Sequence, residues 1–187
     1  MALSKPIMKA LSFYLSQMYE HPLRTSALTC SVIALDGNAT YQRLAGIKPF
    51  DLRSVLAFGV FGLLFSGPAQ HYFYSFLERA VPDEASFTIL KKLFLERVIF
   101  FPLCQGFALY AISRLEGKSH DQAVEELKAL FNKLVIGSWK HLTILQFLNV
   151  AFVPSVFRIF IQHFISYFWT IYFSHARKEY QKSQKKQ

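Results

Sequence analysis

The chain is short of charge. Lys, Arg, Asp and Glu make up only 18% of its 187 residues, against about 25% in an ordinary soluble domain. From Val55 to Leu77 there are 23 consecutive positions without any of them. A helix of that length reaches roughly 34 Å, enough for a hydrocarbon core of about 30 Å. A soluble all-α domain would struggle to cover so long an uncharged stretch. Cysteine is scarce as well. Cys30 and Cys104 both fall in apolar stretches and read as small buried side chains, not as a disulfide framework or a metal pair. The sequence also lacks a Gly-rich phosphate loop, a His-Glu-x-x-His helix, a paired-Cys motif and a Gly-x-Ser-x-Gly elbow. No enzyme is expected, and neither is a cofactor or a metal. No secretory signal is expected either, because the first long apolar run begins late and shows no cleavage pattern.

What is present points to a bilayer. Hydrophobic residues make up 52%, with 20 Phe and 9 Tyr, rings suited to lipid and its interfaces. The net charge of +9 is uneven. The tail, residues 176–187, holds Arg177, Lys178, Lys182, Lys185 and Lys186 against Glu179 alone. Such a cluster favours anionic headgroups and the cytoplasmic side. No nucleic-acid fold signature accompanies it, so no nucleic-acid partner is expected.

These patterns predict a single domain over 1–187: an all-α integral membrane bundle of four transmembrane helices with amphipathic interfacial helices. The spans are expected at roughly 25–47, 54–78, 93–113 and 145–174, and the amphipathic helices at 4–20 and 120–136. In the latter, Ser119 and Gln122 form a capping box, and Val124, Leu127, Leu130, Phe131, Leu134 and Val135 share one face. Ser26, Cys30 and Ala34 in the first span, and Gly59, Gly62 and Ser66 in the second, form small-residue stripes that permit close helix approach. Pro68, Pro102 and Pro154 are expected kinks. Four crossings would put both termini on one side, and the basic tail makes that side the cytosol.

Polar groups inside apolar segments are the candidate functional residues, because each is costly in lipid unless satisfied. They are Gln42, Gln70, His71, Gln146, Asn149, Arg158 and Gln162. Gln146 and Asn149 share a helix face, as do Arg158 and Gln162. Asp36, Glu96, Arg97 and Arg158 are available for an ion-pair network. Two readings overlap here. The polar groups hold the helices in register, or they line a hydrated path for small solutes.

Several segments resemble a known family. Ser66-Gly67-Pro68-Ala69-Gln70-His71-Tyr72-Phe73-Tyr74 is similar to its Gly-Pro-x-x-His-x-x-Tyr segment, and Leu95-Glu96-Arg97 through Pro102 to the start of its third span. The most specific piece runs from Trp139 through Gln146, Asn149 and Pro154 to Arg158, with Trp169 and Ser174 beyond. The chain resembles the family of small four-helix organellar membrane proteins that includes peroxisomal membrane protein 2 and the mitochondrial Mpv-type proteins. Asn38, the Leu115–Lys118 string and Leu145–Phe147 look most like the peroxisomal branch. Leu142 and Ile144 stand where the family carries a second Trp and a Pro. The resemblance implies a rather unselective channel for small polar metabolites in the peroxisomal membrane. It also implies a homo-oligomer, delivered by the peroxisomal membrane-protein import machinery. A mitochondrial inner-membrane protein and a non-transporting scaffold are the alternatives.

Overall fold

Capping chemistry and apolar period set the helix limits. The computed structural model describes residues 5–81, 87–153 and 155–184, leaving aside the side chains of 7, 150 and 155–160. These residues form six helices and no strand: α1 (Lys5–Glu20), α2 (Pro22–Leu44), α3 (Leu52–Ala80), α4 (Thr88–Leu115), α5 (His120–Phe152) and α6 (Ser155–Gln184). The Asp51 carboxylate accepts the Ser54 N–H at 3.0 Å and starts α3. The expected capping box starts α5: the Gln122 N–H donates to the Ser119 hydroxyl at 3.2 Å, and the Ser119 N–H to the Gln122 side chain at 3.0 Å. Gly46 and Gly117 follow α2 and α4 with φ of +60° and +87°, the left-handed geometry that ends a helix and that other residues resist.

Helices α2 to α6 lie side by side with alternating direction. Ser31 on α2 meets Gly59 on α3, Phe65 on α3 meets Phe107 on α4, and Gly106 on α4 faces Phe131 on α5. Gly137 on α5 faces Tyr172 on α6, and α6 runs parallel to α2 through Tyr167 and Thr40, 2.9 Å apart. One end of the bundle, called the polar end below, gathers the C-termini of α2, α4 and α6 and the N-termini of α3 and α5. Helix α1 turns back on the start of α2, where the Tyr14 and Thr29 hydroxyls are 3.3 Å apart.

Small residues let α2 and α3 touch through their backbones. A Cβ on Gly67 would sit 2.4 Å from the Ala27 Cα, and one on Gly62 would sit 2.6 Å from the Cys30 carbonyl oxygen. The Ser26 hydroxyl donates to the Gly67 carbonyl at 3.2 Å, and Ser31 to the Gly59 carbonyl at 2.9 Å. The two small-residue stripes expected from the sequence therefore face one another.

Three expectations need correction. Residues 120–136 are not a separate interfacial helix but the first half of a continuous 33-residue α5. The amphipathic period holds, but its apolar face is covered by protein: Leu130 and Leu134 are buried in a core with Phe58, Leu109, Ile112 and Phe173. Residues 145–174 are not one tilted crossing. Helix α5 ends at Phe152 and α6 begins at Ser155. Val153 is extended (φ −88°, ψ 127°), as steric conflict with a following proline ring requires. Five helices thus lie abreast where four were expected, so α2 begins and α6 finishes at opposite ends; a same-side placement of the termini rested on four crossings. Pro68 and Pro102 lie within unbroken helices. A π-helical turn precedes each, over Gly62–Ser66 and Leu95–Phe100, and widens the backbone ahead of the ring. Pro154 lies outside the described residues.

Two helices, Leu52–Ala80 and Thr88–Leu115, combine the length and apolarity of a crossing. The outer surface is apolar: Leu56, Leu64, Phe76, Leu103, Ile144 and Phe164 are all exposed. In water such a continuous face would aggregate, whereas lipid covers it without penalty.

Candidate functional site

A cavity of about 260 Å³ runs along the bundle between α2, α3, α4 and α6, with Leu142 its one contribution from α5. Its lining extends from Phe58 to Tyr74 on α3 and from Glu96 to Ile112 on α4. Sixteen positions of helix correspond to roughly 24 Å, most of a hydrocarbon core. The two halves differ in chemistry. Toward the polar end the walls are Phe58, Phe61, Phe107, Ile112 and Phe173. Toward the other end Ser66, Gln70, Glu96, Arg97, Gln105 and Gln162 stand among Tyr74, Phe100, Phe101 and Trp169.

The polar half is built on the π turn of α4. Glu96 and Arg97 are only 6% and 5% exposed, and their charged groups are 3.4 Å apart. The Gln146 amide donates to Glu96 at 3.2 Å, and the Trp139 indole to the Arg97 carbonyl at 2.9 Å. The Arg97 guanidinium lies 5.4 Å from the Phe101 ring centre, a cation–π contact that offsets part of its desolvation. The Trp169 indole donates to Gln105 at 3.2 Å, and the Cys30 thiol to Gln70 at 3.8 Å. Some polar atoms find no partner among the described residues: Arg97 Nε and Nη1, Gln146 Oε1, Gln162 Oε1 and His163 Nε2. Unsatisfied groups at this depth cost several kcal/mol each unless water or solute reaches them.

A second cluster closes the polar end. Arg177, 2% exposed, donates from Nε to Glu126 at 2.9 Å and from Nη1 and Nη2 to Glu116 at 3.0 and 2.8 Å. Its Nη2 also donates to the Ser113 hydroxyl, which in turn donates to Glu126. Lys118 donates to Glu126 at 2.6 Å, and the Ser54 hydroxyl to Glu116 at 2.8 Å. Beside this cluster, Lys178 pairs with Asp51 at 3.0 Å. Gln42 exchanges two bonds with the Asp51 backbone, at 2.8 and 3.0 Å, and donates to Asn38, which donates to Ser174. The ends of α2 to α6 are therefore tied together by side chains.

Burial alone would raise the carboxyl pKa values of this end. For Asp51 the Ser54 N–H, the Lys178 ammonium and Arg177 outweigh it, and for Glu126 Arg177, Lys118 and Ser113 do so; both carboxyls are held below their ordinary range. A lowered folded-state pKa means stabilisation that is complete above the unfolded value of about 4 and lost as pH falls through the folded one. Thermal melts in detergent should therefore be level from about pH 8 to 6 and drop below about pH 4.5. Asp51→Asn with Glu126→Gln should flatten that drop, and an unchanged acid limb would contradict the assignment.

The Mpv17 / PMP22 family model matches residues 113–174. Peroxisomal membrane protein PMP22 from Arabidopsis thaliana is 30% identical over 174 residues, covering 92% of each chain. The chain belongs to the Mpv17/PMP22 family. Peroxisomal membrane protein 2 from Bos taurus is 27% identical over 177 residues, 91% of this chain and 90% of that protein. Mitochondrial inner membrane protein Mpv17 from Xenopus laevis is 28% identical over 158 residues, 82% and 89% of the two chains. No solved structure matches.

For this Mpv17/PMP22 member the structure sorts the residues singled out from sequence. Gln70 and Gln162 line the cavity, and Gln146 closes on Glu96 beside it. Of the four residues available for an ion-pair network, Glu96 and Arg97 lie 3.4 Å apart. Gln42 lies elsewhere, bonded at the polar end. His71 is half-buried against Tyr72 and does not line the cavity. Asn149 faces an apolar crevice between α5 and α6, with Leu145, Phe152 and Phe164. Asp36 is exposed on α2 and joins neither cluster, because its position on the helix points away from both. The Arg158 side chain lies outside the described residues. Arg177 and its partners were not singled out. Their signal is the spacing Trp169–Phe173–Arg177, which continues one helix face into the basic tail.

Proposed function

We propose that this chain is a passive channel of the peroxisomal membrane that lets small polar metabolites diffuse through the cavity between α2, α3, α4 and α6. The observation that carries this reading is the cavity's reach of roughly 24 Å along the bundle, with polar atoms beside it that find no partner among the described residues. An apolar bundle stabilised by packing alone has no use for such a lining. Transport of this kind is diffusion without covalent chemistry. The peroxisomal placement follows the names of the Arabidopsis and Bos relatives, and the mitochondrial inner membrane is the alternative suggested by the Xenopus one. Assembly into a homo-oligomer and delivery by the import machinery for peroxisomal membrane proteins belong to the same reading.

Purified full-length protein in liposomes tests it. Entrapped small solutes should leave faster than from empty vesicles. Cys30 and Cys104 both line the cavity, so a small methanethiosulfonate reagent should slow that efflux. Cys30→Ser with Cys104→Ser should keep the efflux and lose the block. Efflux no faster than from protein-free vesicles across several lipid mixtures would sink the proposal.

A further inference from the structure

We propose that the Arg177 cluster is a latch holding an aromatic gate shut at the polar end of the cavity. The inference rests on the channel reading and adds to it which end is closed and by what. Phe58 and Phe173 line the cavity, meet edge to face with ring centres 5.7 Å apart, and are buried together with Ile112. Arg177 does not line the cavity. Its guanidinium sits 5.7 Å from the Phe58 ring centre and 5.9 Å from that of Phe173, so it rests on both rings at once. The other contacts of the guanidinium hold it in place: Glu126 on α5, Ser113 on α4, and Glu116, which Ser54 on α3 also engages.

An apolar ring of this kind stops polar solutes by staying dry. Rings free to change rotamer would let it wet. Here the rings are pinned from behind by a cation, and the cation is pinned by carboxylates on neighbouring elements. The same turn of α6 is held a second time, through Ser174 to Asn38 and Lys178 to Asp51. Opening therefore requires the last turns of α6 to leave several partners together. The arrangement has two states, held and released, and the energy separating them lies in charge-assisted bonds. In the other half Phe101 and Trp169 also meet edge to face, 5.7 Å apart, but Gln70, Gln105 and Gln162 share that wall, and this is the half that admits solute while the latch is closed.

Efflux of a radiolabelled monosaccharide from liposomes containing the full chain tests the latch. Phe173→Ala removes one ring of the gate, and Glu126→Gln weakens the latch while leaving the gate intact. Each should raise the efflux rate at least about tenfold, equivalent to ~1.4 kcal/mol on the closed state. Phe164→Ala, on the exposed face of the same helix, should leave it unchanged. Elution volume and helix content identify variants that fold. If Glu126→Gln does not fold, Phe173→Ala decides, with Ile112→Ala as its substitute. Folded gate variants that conduct like the parent, or more slowly, overturn the latch and leave the channel reading standing. No efflux from the parent or any variant overturns both.

Discussion

Arg177→Met is expected to destabilise the detergent-solubilised protein by about 3–5 kcal/mol, the usual effect of removing one partner from a buried ion pair. The guanidinium is 2% exposed and Glu126 is 1% exposed. Without Arg177, Glu126 keeps only Lys118 and Ser113, and Glu116 keeps Ser54 and a Lys118 ammonium 3.7 Å away. Two carboxylates then share one cation. Arg177→Lys should recover little, because an ammonium cannot reproduce the fork that now reaches Glu116, Glu126 and Ser113 together. Adding Glu126→Gln to Arg177→Met should recover part of the loss, since the deficit is mainly an unpaired charge. Thermal melts with matched elution profiles measure all three. If Arg177→Met melts within about 1 kcal/mol of the parent, the cluster is a surface feature and not a buried network.

The second large effect is expected at the α2–α3 seam. Gly67→Val should cost at least about 3 kcal/mol, the upper end of ordinary overpacking. A Cβ there meets backbone atoms, the Ala27 Cα at 2.4 Å and the Ala27 nitrogen at 2.7 Å, and not a side chain able to turn aside. Relief requires the two helices to separate, which also breaks the Ser26 bond to the Gly67 carbonyl. Gly62→Val should behave similarly, against the Cys30 carbonyl oxygen at 2.6 Å. Gly106→Ala is the control. Its Cβ would approach only the Phe131 ring, at 3.3 Å, and a ring edge can yield. If Gly67→Val and Gly106→Ala melt alike, the seam is looser than the structure shows.

Local chemistry made part of this molecule legible. The uncharged run Val55–Leu77, the Ser119–Gln122 capping box and the small-residue stripes each need only a few neighbouring residues to be recognised, and each forms as expected. The α5 amphipathic face shows where legibility stops. Periodicity says that Leu130 and Leu134 are covered, but lipid headgroups and protein leave the same pattern in a sequence. The division between α5 and α6 is hidden for a related reason: both flanks are apolar, and hydropathy does not reveal that they fold back on one another. Within the site, Gln70, Gln162, Glu96 and Arg97 stood out because polar side chains in apolar segments are rare. Arg177 did not, because it sits among lysines at the chain's basic end and its partner Glu126 is 51 residues away. Charge pairing over such distances leaves no local trace.

The chain has only two tryptophans. Trp169 forms part of the cavity wall with its indole bonded to Gln105, while Trp139, anchored to the Arg97 backbone, is exposed on the outer surface. The protein thus carries its own optical probes, one inside and one outside. Emission from the inner indole follows how wet the passage is, and the outer one reports on the surrounding lipid or detergent, so occupancy of the interior can be followed in unlabelled material.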